Sequence, residues 1–541
     1  MLRKTALFLL ILCFISGGWC SRLAPPALTA VLGPGDLDPT FGSNGKVTTN
    51  LPAPLGSAVL QSDGKILAAG FDQTNPCFVV RYKSDGTPDP TFGSANGKQT
   101  TPFTVSPNAM AVQSDGKIIV AGRGEVNLQH SLAVFRLNPD GSTDTTFGSG
   151  GLVITNFSEE SRADDLAVLA DGKILVAGEV FIDNSFLLIR LNTNGTLDAS
   201  FGTGGIARPK MGPSAIGAAA AHAIAIQPDL KIVAVGFAEQ SWAIARFHPN
   251  GQLDEDFSND GKILLNFDVG TEKASDVVLQ SDGKIVVAGF RAGTFGPNTV
   301  VVRLNSDGTP DVTFGSGANG VVQPVQGVNR ATSVVMEASG KILIAGSTTV
   351  LSPSDFILMR LSTDGSIDTS FGTSGIVLTD FGGSDDATKL MLQPDGKVVA
   401  AGSTNAGFAL ARYLTVLAAE PVLQVESGSN HAIAVDSVTF ERDPFSVVND
   451  FVLNPDQRTR IILFVGNLTL ESGEDASAVT VQAEDSGGVR NLQVEFVGKV
   501  PGFDSLTQVV VKLPDGLANG NVQLSVSYHG KTSNKGLIVI E

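Results

Sequence analysis

Cysteine is almost absent from this chain. Of three in 541 residues, Cys13 and Cys20 fall within the first twenty and only Cys77 lies beyond them. Without that leader no intramolecular disulfide can form, so stability outside a reducing compartment must come from burial. Charge is sparse as well. Charged residues make up 17% against 42% hydrophobic, a balance that excludes disorder. What charge there is leans one way: 54 Asp and Glu outnumber 37 Lys and Arg, for a formal net of −17 with no basic cluster to offset it. Nucleic acid and anionic membrane surfaces are thereby disfavoured as partners. The five histidines (His130, His222, His248, His431 and His529) show no zinc-type spacing, and no Ser/His/Asp order appears. No metal or cofactor is expected. Tryptophan stops at two, with only Trp242 outside the leader, so flat platforms for sugar rings are few. No apolar run reaches the ~20 residues that a membrane-spanning helix needs.

Glycine, in contrast, is abundant at 61 residues. It follows no collagen period and marks turns between short strands. Residues 1–20 read as an export signal: Arg3 and Lys4, an apolar run over 6–15, then small residues at 16–18. Cleavage after Cys20 predicts a secreted or cell-surface protein. Lipid attachment at Cys20 is the weaker alternative, because bulky Trp19 stands where a small residue is usual.

Three landmarks then recur in fixed order. An acidic turn ending in Phe-Gly starts at Asp38 and returns at Asp89, Asp144, Asp198, Asp254, Asp311 and Asp368. A hairpin of the form Gln-x-Asp-Gly-Lys-Ile-x-x-Ala-Gly runs over 61–70, with copies centred on Asp115, Asp171, Asp229, Asp282, Ser339 and Asp395. An apolar alternation ends in Arg81, Arg136, Arg190, Arg246, Arg303, Arg360 and Arg412. The turn phenylalanines, Phe41 to Phe371, follow one another at 51 to 57 residues, which makes seven copies of one unit.

Each unit spells four short strands, at 46–49, 57–61, 65–70 and 78–82 in the first, with Asp63-Gly64 as a two-residue hairpin loop. Segments such as 118–122 are apolar on both faces, and stacked neighbouring blades would cover both. The repeated phenylalanine is expected to wedge into each seam. The array opens on a lone strand, left free to complete the last blade and close the ring. Two departures from the pattern, Leu230 and Ser258, stand where the other copies have glycine.

The segments LDPTFGSNGKVTT, LQSDGKILAAGF and FVVRYKSDGTPD resemble the delta-60 repeat family of bacterial secreted proteins, over residues 36 to about 414. That resemblance implies a propeller-like array and no reaction. After Leu417 the period stops, and RTRIILFVGN with VGKVPGFDSLTQVVVKLPDGLANGNVQLSVSYHGKTSN resembles an Ig-like C-terminal domain appended to secreted soil-bacterial proteins. The fold expected is all-β: a seven-bladed β-propeller of four-stranded blades followed by an Ig-like β-sandwich. The parts are a signal at 1–20, a linker at 21–35, the propeller at 36–414, a linker at 415–420 and the sandwich at 421–541.

The strand before each hairpin would line the central channel. Four residues before the Gln column stand Ser57, Ala109, Asp165, Ala223, Asp276, Ser333 and Lys389; five before stand Gly56, Asn108, Asp164, His222, Ser275, Thr332 and Thr388. Polar variation inside a constant frame marks a ligand site at the channel mouth, with Asp164, Asp165, His222, Asp276 and Lys389 as candidates. Solvated strand ends are the plainer reading. A carboxylate pair, Asp165 and Asp276, would suit a glycosidase- or lactonase-like propeller, and their separation would decide the mechanism. The function expected is instead a non-catalytic binding or scaffold protein of the cell exterior, with a polysaccharide or another surface protein as partner.

The turns between units imitate a calcium loop, as at Asn138, Asp140, Gly141 and Asp144. Its first position is arginine in each copy, and a guanidinium repels a cation. An Arg–Asp clamp is expected instead, joining Arg81 to Asp89, Arg136 to Asp144, Arg190 to Asp198, Arg246 to Asp254, Arg303 to Asp311 and Arg360 to Asp368.

Overall fold

Short apolar segments separated by left-handed glycines pair here into antiparallel ladders. The computed structural model describes residues 33–415 and 458–541, apart from short loop segments in each, together with 422–424, 432 and 434–436. The leader therefore lies outside the described residues. The chain forms two compact units, one of residues 33–418 and a second that holds residues 419–541.

The first unit is a seven-bladed β-propeller of four-stranded blades. Blade 1 runs from the channel outward as Leu55–Leu60, Ile66–Gly70, Phe78–Tyr82 and Lys98–Thr100. Blades 2 to 6 repeat it from the inner strands Val105–Val112, Ser161–Val168, Ala219–Ile226, Lys273–Leu279 and Asn329–Met336. Blade 7 takes three strands from Asp386–Leu392, Val398–Thr404 and Gly407–Tyr413, and its fourth from the start of the array. Lys46–Asn50 pairs antiparallel with that last strand, Lys46 opposite Ala411 and Asn50 opposite Gly407. The ring is closed, and no blade presents an open edge at the junction.

The middle strands of each blade are buried on both faces, and the core lies between blades. One cluster joins Leu175 and Leu188 of blade 3 to Ala221, Ile232 and Ala245 of blade 4, with Phe201 among them. All seven turn phenylalanines are fully buried. A Cβ on Gly251 would come within 2.9 Å of the Phe201 ring, so the turn of the following blade needs glycine there.

Two expectations need correction. The Gln61 N–H donates to the Lys65 carbonyl at 2.8 Å, and the Gly64 N–H donates to the Gln61 carbonyl at 3.0 Å. Only Gly64 has positive φ, at 81°, so the loop has three residues: a type I turn closed by a left-handed glycine. Leu230 occupies this position with φ of 67° and is 56% exposed. The inner strand also starts earlier than expected, at Leu55 rather than Ser57, because pairing continues past a β-bulge between them.

Among its described residues, the second unit is one nine-stranded antiparallel sheet that curls back on itself. Its long strand Gly488–Val500 pairs through residues 488–492 with Val479–Asp485 and through 493–500 with Phe503–Lys512. Ile461, Leu463, Val481, Val509, Leu524 and Val526 form its buried core.

Candidate functional site

All seven inner strands carry a β-bulge at one place. The extra residue is Gly56, Asn108, Asp164, His222, Ser275, Thr332 or Thr388, the blade-variable column of the sequence. A bulge interrupts the two-residue alternation of a strand and re-aims a side chain. Here it brings five of the seven to the wall of one cavity at the channel mouth.

Part of this polarity fastens one blade to the next. Asn108 Nδ2 donates to the Ala163 carbonyl at 2.7 Å, and Thr332 Oγ1 donates to the Ala387 carbonyl at 2.8 Å. His222 Nδ1 lies 3.1 Å from the Ala274 carbonyl, an acceptor, so this nitrogen carries the proton. One residue deeper, Asp165 Oδ2 accepts the Ile224 N–H at 2.8 Å. Asp276 Oδ2 accepts from Ser333 Oγ at 2.8 Å and from the Val334 N–H at 3.0 Å, with Lys389 Nζ 3.5 Å away. The candidates thus fall into two layers, Asp164 and His222 at the mouth and Asp165, Asp276 and Lys389 below.

Burial sets the electrostatics of both layers. It pushes the Asp165 carboxyl up to about 6, against the pull of Lys389. Burial likewise pushes Asp164 up to about 7, opposed by Arg162 and reinforced by Glu179. His222 is held down at about 4 by burial and by three nearby cations, Lys273, Arg162 and Arg330.

Those cations are the part of the site that sequence reasoning missed. Seven residues before the Gln column stand Pro54, Ser106, Arg162, Ala220, Lys273, Arg330 and Asp386. Arg162, Lys273, Arg330 and Asp386 line the same mouth cavity, of about 470 Å³, which blades 3 to 7 build and blades 1 and 2 do not. Arg162 Nε faces Asp164 Oδ1 at 2.8 Å and Glu179 Oε1 at 3.0 Å. Lys273 lies 4.5 Å from the Phe237 ring centre, and Arg330 lies 4.6 Å from that of Phe290. A larger hollow of about 810 Å³ sits by the outer turns of blades 3 and 4, beside Arg208 and His248. It is walled largely by residues of the repeated turns, so it lacks the blade-specific polar set of the mouth.

The outer turns hold seven copies of a second arrangement. In each, arginine Nε meets an aspartate Oδ2 at 2.6–2.8 Å, from Arg81 with Asp89 through Arg360 with Asp368, and Arg412 with Asp38 across the ring junction. Each guanidinium lies 4.4–4.8 Å from the centre of its own turn phenylalanine. Its Nη1 donates to a backbone carbonyl of the following blade, as Arg81 does to Pro139 and Arg136 to Thr193. The lysine of each hairpin reaches the same carboxylate at 2.8–3.4 Å, from Lys65 on Asp89 to Lys397 on Asp38. Burial alone would raise Asp89; hydrogen bonds from Thr91 and the charges of Arg81 and Lys65 hold it at about 2. Among the described residues, the group with cation-site spacing is elsewhere: Asp355, Asp380 and Asp385, whose carboxylate oxygens lie within 4.8 Å of one another.

A closed ring of seven sequence-repeated blades around a polar channel defines a repeat β-propeller. The family described as "Domain of unknown function (DUF5122) beta-propeller" matches at residues 61–92, 113–147, 169–201, 227–257, 280–314, 337–371 and 393–416, seven repeats that agree with the seven blades. No curated protein matches the sequence. Among solved structures, Sqt1 from Chaetomium thermophilum is 12% identical with a TM-score of 0.38, over 67% of this chain and 96% of that one. A glucose dehydrogenase is 10% identical with a TM-score of 0.35, over 68% of this chain and 98% of that one.

Proposed function

We propose that this chain is an exported, non-catalytic binding protein that takes its ligand at the channel mouth of blades 3 to 7. One observation carries the reading. A frame repeated seven times varies in polar character at the bulge, and five bulge residues share one cavity with three cations. A purely structural ring has no need for that asymmetry, and a ligand site does. Export rests on the composition of residues 1–20. The repeats are read as of the delta-60 kind and the curled C-terminal unit as its Ig-like companion, a spacer or adhesion module. The ligand is a polysaccharide or another surface protein.

An enzymatic reading draws on Asp164 and Asp165, carboxyls that hold protons near neutrality. Against it, Asp165 and Asp276 spend acceptor capacity on backbone N–H groups of the next blade, which makes them fasteners of the ring. The test is a screen of the full chain against glycans and surface proteins, followed by analysis of each bound ligand after prolonged incubation. Binding with the ligand recovered intact supports the proposal. A cleaved ligand would turn the site into an enzyme's, and a screen without any binder would remove the reading.

A further inference from the structure

The mouth cavity sets three cations, Arg162, Lys273 and Arg330, beside two acidic residues, Asp164 and Asp386. In a chain of net charge −17, three cations at one column of the inner strands face a single cavity. Arg162 is answered by Asp164 and Glu179. Lys273 and Arg330 have no carboxylate within 4.0 Å among the described residues; each lies instead against a phenylalanine ring. A ring face holds a cation in place without cancelling its charge. Burial and the nearby charges of Arg162 and Arg330 pull Lys273 below the usual lysine range, against the opposite pull of Glu179 and Asp164.

The same cavity also offers unspent acceptors. His222 uses Nδ1–H on the Ala274 carbonyl, which leaves Nε2 as a lone-pair acceptor on a ring that stays neutral at physiological pH. Asp164 places Oδ1 on Arg162, while Oδ2 is buried without a hydrogen-bond partner on a side chain only 10% exposed. Phe290 supplies an apolar wall, and Ser275 and Thr388 add hydroxyls. A fitting ligand must therefore bring an anionic group and several hydroxyl donors within one compact body. Sulfate has no such donors, and phosphate near neutral pH has only one or two. Extended acidic peptides spread their donors along a backbone, whereas these acceptors sit in one cavity of about 470 Å³.

On these grounds, and resting on the reading of the mouth as a binding site, we infer that the cavity takes an acidic saccharide. Its carboxylate sits between Lys273 and Arg330, and its hydroxyls donate to Asp164 and His222. The experiment uses the full chain and a panel of oligogalacturonate, oligoguluronate and oligoglucuronate, each beside its methyl-esterified, uncharged form, with sodium sulfate as the free-anion control. The expected result is calorimetric binding of at least one acidic oligosaccharide, tenfold or more weaker for its ester, weakened by added salt. The double variant K273Q/R330Q loses that binding tenfold or more while its melting temperature stays within a few degrees of the parent. Arg330→Lys retains most of it. Equal binding of acid and ester, an unaffected double variant, or sulfate binding as tight as saccharide binding would each overturn the inference. Ester binding that fails in His222→Ala would overturn the anion preference and leave the mouth as the binding site. Absence of any bound saccharide, while an acidic surface protein binds, would overturn the saccharide and not the binding function.

Discussion

Arg136 touches five things at once: the Asp144 carboxylate, the Phe147 ring, the Thr146 hydroxyl, the Gln113 side-chain oxygen and the Thr193 carbonyl of the next blade. Arg136→Ala leaves a buried carboxylate short of its main partner and should cost about 3–5 kcal/mol, the usual penalty for breaking a buried pair. Arg136→Lys keeps the charge and loses the fork, so it should fall between. Urea unfolding of the full chain checks both, and a loss below about 1 kcal/mol for the alanine variant would remove the clamp from the account. At Leu230 the sign is reversed. A left-handed backbone costs a leucine about 1 kcal/mol, so Leu230→Gly should be neutral or stabilising by up to that amount; a clear fall in Tm would contradict it. The two kinds of aspartate also respond to pH in opposite senses. Asp89, depressed to about 2, contributes stability that is full above its unfolded value of about 4 and is lost as pH falls through 2. Asp164, raised to about 7, contributes stability below about 4 that is lost as pH rises through 7. Asp164→Asn should therefore raise Tm more at pH 8 than at pH 5, as thermal melts at the two pH values would show. The Arg–Asp spacing was legible because it recurs in every unit. The hairpin lysine recurs as faithfully, but its aspartate lies across the middle of the blade, and nothing local in the sequence links them.

Strand order within a blade follows from hairpin turns, and the sequence carries those openly in Asp-Gly-Lys and Phe-Gly. The bulge is different. Its residues read as ordinary alternation, and only pairing with the second strand shows that Asp164 and Asp165 are not on opposite faces by simple count. That one-residue insertion moved the true start of each inner strand and hid the cation column, since counting by twos fails beyond it. The lone first strand was legible from the phase of the repeats alone. Deleting residues 36–50 removes the outer strand of blade 7 and the Asp38 partner of Arg412, and it exposes the Gly407–Tyr413 edge. Light scattering should then show association or aggregation with a lowered Tm. A monomer of unchanged Tm would mean that the ring does not depend on this closure.

At the scale of the whole molecule, seven equivalent clamps hold a ring whose inner face is not equivalent. The repeats pointed to a closed all-β ring, whereas composition hid the mouth, because a net charge of −17 averages away three convergent cations. The account stands on one location for binding, the mouth of blades 3 to 7. Hydrogen exchange of the full chain, with and without a saturating ligand from the screen, tests it most directly. Slowed exchange is predicted at residues 162–165, 220–223, 273–276, 330–333 and 386–389, with the inner strands of blades 1 and 2 and residues 458–541 unchanged. Protection confined to residues 458–541, or to the outer turns, would contradict it.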